Sequence, residues 1–192
     1  MSDDGAIARG FEAAAEGLRA ARFRDDLTVR AIPSPTGVAP YSVAFAGDVR
    51  PDSHGDSPYG TGRFILLHDP DEPEAWGGPW RVVSFAQAPL EPEIGTDPLL
   101  ADVAWSWLVD ALASRGAAHH SLSGTATTTA SRGFGALERQ GIGSQIELRA
   151  SWTPAAPDVA HIEAWAELVC MLAGLPPGSE DIAVLRPGPH RM

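Results

Sequence analysis

Three strand-like segments follow one another between residues 41 and 88, with nothing helical between them. In YSVAFAGDV (41–49), Tyr41, Val43 and Phe45 alternate with Ser42, Ala44 and Ala46. RFILLH (63–68) is a short apolar run, and WRVVSFAQA (80–88) is another, bounded by proline at both ends. The connectors DSHGDSPYGTG (52–62) and DPDEPEAWGGP (69–79) consist of turn-forming residues. Parallel neighbours need a crossover of a dozen or more residues, usually a helix, so strands joined this way run antiparallel.

The rest of the chain adds helices at three places. AIARGFEAAAEGLRAA (6–21) repeats Ile7, Phe11, Ala14, Ala15 and Leu18 at helical spacing. IPSPTGVAP reads as irregular, because residues before proline avoid the helical region. Asp97 and Pro98 start a second helix that runs to about Arg115, and Gly116 suits the left-handed position after it. HHSLSGTATTTAS (119–131) and SQIELRASW (144–152) read as strands around a glycine-rich loop, 133–143. Asp158 caps a third helix with Ile162, Trp165, Ala166, Val169 and Leu172 on one stripe. The predicted order is α-β-β-β-α-β-β-α. This is an α+β fold with an antiparallel sheet of about five strands and helices packed on it. Residues 1–175 form one domain, and 176–192 form an extended tail.

Composition narrows the function. The formal net charge of −11 disfavours nucleic acid and anionic lipid. A cluster of Arg19, Arg22 and Arg24 near the first helix end reads as a solvated helix terminus. There is no lysine, which removes Schiff-base chemistry and the phosphate-loop lysine. No run approaches the roughly 18 apolar residues of a membrane helix. MSDDGAIARG opens acidic and lacks a basic region followed by an apolar one, so no signal peptide is expected and the cytoplasm is the expected compartment. The single cysteine, Cys170, sits in the third helix as a buried thiol.

Each stretch with chemical potential has a structural reading that fits better. His68, Asp69, Asp71, Glu72 and Glu74 crowd LLHDPDEPEAWGGPW, the basis for a small-ligand or metal-dependent enzyme using the acidic loop 68–74, its carboxylates working with His68 or His54. Counted as a calcium loop from Asp69, the fifth position is Pro73 and the sixth is Glu74 where glycine is required. Neighbours on a strand point to opposite faces, which separates His68 from Asp69. An acidic hairpin tip accounts for the same residues. HHSLSG lacks the glycine that a nucleophile elbow needs two residues before Ser123, and His119 and His120 diverge on a strand. GFGALERQGIG runs into a strand, whereas a dinucleotide fingerprint opens a helix. No catalytic residue, metal ligand or cofactor is predicted.

Tryptophan points to a surface. In the second helix Leu99, Val103, Trp107 and Ala111 make one apolar row, while Ala101, Trp105 and Leu112 lie away from it. Asp102, Ser106 and Asp110 form the only polar stripe. A helix covering one sheet face needs a narrower apolar arc, so this one is expected to be buried on two sides. A neighbouring helix supplies one account of the extra flank. A partner surface of Trp105, Val109 and Leu112 supplies the other.

APYSVAFAGDV, TGRFILLHDPDEPEAW, DPLLADVAWSWLVDAL and ELRASWTP together resemble an actinobacterial family known as domain of unknown function 3000, over roughly residues 10 to 175. The resemblance implies no activity, cofactor or site residue. It implies a gene context beside a ribonuclease D-like exonuclease and a haem-pathway decarboxylase, which supplies an alternative reading, an accessory to RNA metabolism acting through a protein partner. The element order is also similar to that of type III secretion chaperones. The expectation is a non-enzymatic protein-interaction or chaperone-like domain. Its partner is expected to be a second copy, as a homodimer, or another protein, with no direct nucleic acid and no membrane.

Overall fold

A computed structural model describes residues 3–50 and 59–177. The elements are α1 (Asp3–Arg19), β1 (Leu27–Ile32), β2 (Tyr41–Val49), β3 (Thr61–His68), β4 (Trp80–Leu90), α2 (Leu100–Ser114), β5 (His119–Arg132), β6 (Ile142–Pro154) and α3 (Val159–Leu172), with short 3-10 turns at Ile94–Thr96 and Gly135–Gln140. The sheet has six strands in the order β1-β2-β3-β4-β6-β5, and every neighbouring pair is antiparallel. The fold is α+β as expected, with one strand more than the sequence suggested. β1 pairs Leu27 with Val49 and Ala31 with Phe45. It is an edge strand in which only Leu27 is buried, so its alternation is faint in LTVRAI. Proposed tail residues 178–192, and residues 52–58 of the predicted 52–62 loop, lie outside the described residues.

All three helices pack on one face of the sheet. Val43, Phe45, Phe64, Leu66, Val82, Ile146, Leu148 and Trp152 point into that layer. α3 lies over the middle, beside α2 and near α1, and is buried nearly all round. Asp158 caps it by accepting from the Ala160 N–H at 3.0 Å. Arg115, just past α2, reaches Glu163 and Glu167 on α3 and ties the two helices together. Gly116 has φ of 66°, the left-handed conformation that glycine adopts at least cost. Among the described residues no helix is long and apolar enough to cross a membrane.

The α2 helix is buried along one stripe, Leu100, Ala104, Leu108, Ala111 and Leu112. Trp105 and Trp107 are half-buried and pack against the core, and α3 runs alongside. The seat for Trp105 is Gly124 of β5, where a Cβ would stand 2.7 Å from the indole. Leu112 is fully buried within the chain, so it belongs to the core and to no surface. Of the three proposed partner residues, only Val109 is openly exposed.

Candidate functional site

The residues singled out in the sequence do not converge. His68 is buried in an aromatic stack with Phe11, Tyr41 and Trp80, its ring centroid 4.1 Å from that of Trp80. Its Nδ1 lies 3.1 Å from the Pro79 carbonyl, so this nitrogen carries the proton and donates. The loop 69–79 closes on itself instead. Asp69 N–H donates to Pro79 O, and Asp71 N–H donates to the Asp69 carboxylate. Asp71, Glu72 and Glu74 are exposed at its tip. Among the described residues no three histidine, cysteine, aspartate or glutamate side chains come together as a metal site. His54 lies outside the described residues.

His119 donates through Nδ1 to the Ala117 carbonyl, and His120 lies against the Ser121 hydroxyl, on the opposite side of the strand. The loop 133–143 carries a 3-10 turn, and its Phe134 and Leu137 are exposed with Ile142 beside them. Cys170 is buried, and loss of solvation pushes its thiol up to about 11. Native protein at pH 8 should therefore leave a thiol reagent such as DTNB unconsumed, and one equivalent should react once denaturant is added. Rapid reaction of the native chain would show that Cys170 is accessible.

What the sequence patterns do not reveal is the sheet face that no helix covers among the described residues. In β4, Val82, Ser84 and Ala86 point toward the helices, so Val83 and Phe85 point the other way. On that open face the register builds three rows across β4, β6 and β5. Val83 lies beside Ser151 and Ser123. Phe85 lies beside Arg149 and Thr125. Arg81, Thr153 and His120 form the row at the end nearest the acidic loop. The middle rows enclose a groove of about 480 Å³ lined by Val83, Phe85, Ser123, Thr125, Arg149 and Ser151. The Arg149 guanidinium lies 5.6 Å from the Phe85 ring centroid and is paired with Glu147. Val83 stays 38% exposed, unusual for valine in a strand flanked on both sides. The groove thus has apolar contact on one side, hydroxyls on the other and a cation between. That set can hold a molecule but carries no acid and base pair for turnover.

The loop 69–79 borders this face. Thr153 donates from Oγ1 to the Trp76 carbonyl, and Gly77 leaves room for His120, whose Cε1 would stand 3.3 Å from a Cβ there. The acidic loop is therefore docked on the sheet end by its Trp-Gly-Gly segment, with its carboxylates turned to solvent. No curated protein and no solved structure matches the chain. One family model does match, over residues 7–182, and the chain belongs to that family, described as Protein of unknown function (DUF3000).

Proposed function

We propose that this chain is a non-enzymatic protein-interaction domain, chaperone-like in working by contact alone, and that its partner lies on the open sheet face. The observation that carries the reading is the placement of exposed Val83 and half-buried Phe85 on a face that a merely solvated sheet would line with polar residues. The face is bounded by β5, a 14-residue edge strand with no neighbour on its outer side among the described residues. An unpaired edge is a ready template for an added strand. Phe134, Leu137 and Ile142 are further exposed apolar residues, at the β5–β6 hairpin tip. The partner is a second copy of the chain or another protein of the cytoplasm.

Native mass spectrometry on protein gently enriched from its own cells tests this. A dimer or a defined heteromeric complex is expected. The Val83→Asp chain should lose it while keeping its thermal midpoint within a few degrees, because position 83 faces solvent. A strict monomer, or a complex that survives Val83→Asp unchanged, would remove the open face as the binding surface.

A further inference from the structure

Arg81 is only 9% exposed, yet no carboxylate among the described residues pairs with it. Its Nη1 donates to the Ser121 carbonyl and the Thr153 hydroxyl, both at 3.1 Å, and its Nη2 donates to the Ser151 hydroxyl at 2.6 Å. All three acceptors are neutral. Arg24, Arg30, Arg115 and Arg149 each hold a carboxylate. Among the described residues none pairs with Arg81, in a chain with 25 acidic residues. Removing a cation from water without a counter-charge is costly. Burial pulls its pKa below the ordinary arginine value, with no acid nearby to oppose it. A guanidinium nevertheless stays protonated.

Part of this arrangement is structural. β5 bulges between His120 and Ser123, Ser121 has φ of 52°, and the Ser121 carbonyl accepts from Arg81 two strands away. That role uses both Nη1 hydrogens. The Nε–H and one Nη2–H remain without an acceptor among the described residues. The one sealed side-chain nitrogen or oxygen lacking a partner there is His161 Nε2, so Arg81 Nε reaches solvent. Nε and Nη2 share an edge of the guanidinium, a fork that matches two oxygens of one anion. Ser151 Oγ accepts from Arg81, donates to nothing among the described residues, and also lines the groove.

We infer that Arg81 and Ser151 form an oxyanion site at the end of the open-face groove, binding the carboxylate or phosphate group of a molecule whose apolar part lies on Val83 and Phe85. Same-face residues on a strand are about 7 Å apart. Val83 is one such step from Arg81 and Phe85 two, so the ligand is an anionic head with an apolar body roughly 7 to 13 Å long. Arg149 already holds Glu147, which leaves Arg81 as the anion's partner. The site stands whether or not a protein is the natural occupant.

The side-chain N–H resonances of arginine in a ¹H–¹⁵N spectrum of the full chain provide the test. Acetate, hexanoate, inorganic phosphate and hexyl phosphate are titrated separately at constant ionic strength. The Arg81 Nε–H signal should shift and saturate. The six-carbon ligand should bind at least about tenfold tighter than its short counterpart, since each buried methylene strengthens binding about fourfold. Preference for hexanoate would identify a carboxylate ligand, and preference for hexyl phosphate a phosphate. An Arg81 signal unmoved by all four would overturn the proposal, as would a linear drift matched by exposed Arg19. Arg81→Lys keeps the charge but loses the fork, and should weaken binding at least about tenfold. If that chain does not fold, the wild-type titration still decides.

Discussion

Gly47→Ala should destabilise the protein by about 1 to 3 kcal/mol, and the same substitution made with Trp165→Ala should cost nothing or gain up to about 1 kcal/mol. The expectation rests on one close approach. Gly47 and Gly62 are register partners on β2 and β3, and the Trp165 ring lies over both. A Cβ on Gly47 would stand 2.8 Å from the tip of that ring, with its next neighbours beyond 3.3 Å. The ring has little freedom to yield. Its Nε1–H donates to the Phe85 carbonyl at 3.1 Å, its face meets Phe64 at 5.8 Å, and it is fully buried. Trp165→Ala alone should cost about 3 to 5 kcal/mol through lost burial and the cavity left behind. With the ring gone, the nearest remaining neighbour is Leu27 Cδ1 at 3.5 Å, an ordinary contact, and the usual gain from restricting the unfolded chain emerges. Urea unfolding of the four chains of this cycle measures the coupling. Additive effects would show that the sheet, and not Trp165, sets the requirement for glycine at position 47.

That contact shows why some of the fold was legible in the sequence and some was not. The stripe containing Ile162, Trp165 and Val169 is a local pattern of one helix, and α3 forms where the spacing places it. Gly47 and Gly62 are legible as glycines but not as a seat, because the ring that needs them lies more than a hundred residues away. β1 escaped notice because an edge strand buries little. Of Leu27, Val29 and Ala31, only Leu27 is buried, and Thr28 and Arg30 alternate with them. The breadth of the apolar arc on α2 was read as burial on two sides. α2 packs against both α3 and β5, with Trp105 and Trp107 half-buried beside its buried stripe.

The groove was harder to see for a different reason. Conspicuous residues drew the reading to His68 and the carboxylates after it, whereas the fold sends His68 into an aromatic stack and leaves the acids in water. The signal lay in the alternation of WRVVSFAQA. If Val82, Ser84 and Ala86 face the core, Val83 and Phe85 must face away, an apolar pair on the side that should be polar. Strand order then decides which side chains surround them. β6 inserts between β4 and β5, and only that crossover brings Arg149 and Ser123 beside Phe85 and Val83. No local pattern encodes such an insertion. Arg81 shows the same limit: the sequence offers an arginine at a strand start, and the bulge at Ser121 turns it into a buried cation.

Trp152→Phe should cost about 2 to 4 kcal/mol near pH 7.5, from the smaller ring together with an acceptor left unpaired, and the cost should shrink near pH 5.5. Trp152 and His161 are both buried, and the indole N–H donates to His161 Nδ1 at 3.0 Å. Accepting at Nδ1 fixes the neutral tautomer with its proton on Nε2, which is sealed without a partner. Burial lowers the pKa of His161, with His119 acting the same way and Asp158 and the Ala156 carbonyl opposing. The unfolded chain therefore takes up a proton near pH 6.5 while the folded chain does so only at lower pH. Stability is intact above that pH. It falls as pH drops through it, by up to about 1.4 kcal/mol per pH unit until the folded group titrates. In the wild type, protonating Nδ1 would set two donors against each other. Phenylalanine removes that conflict, so the folded imidazole protonates more readily and the slope flattens. Urea unfolding of both chains at the two pH values isolates the effect, because carboxylates elsewhere contribute equally to each. An identical cost at pH 7.5 and 5.5 would show that the Trp152 donor does not hold His161 neutral.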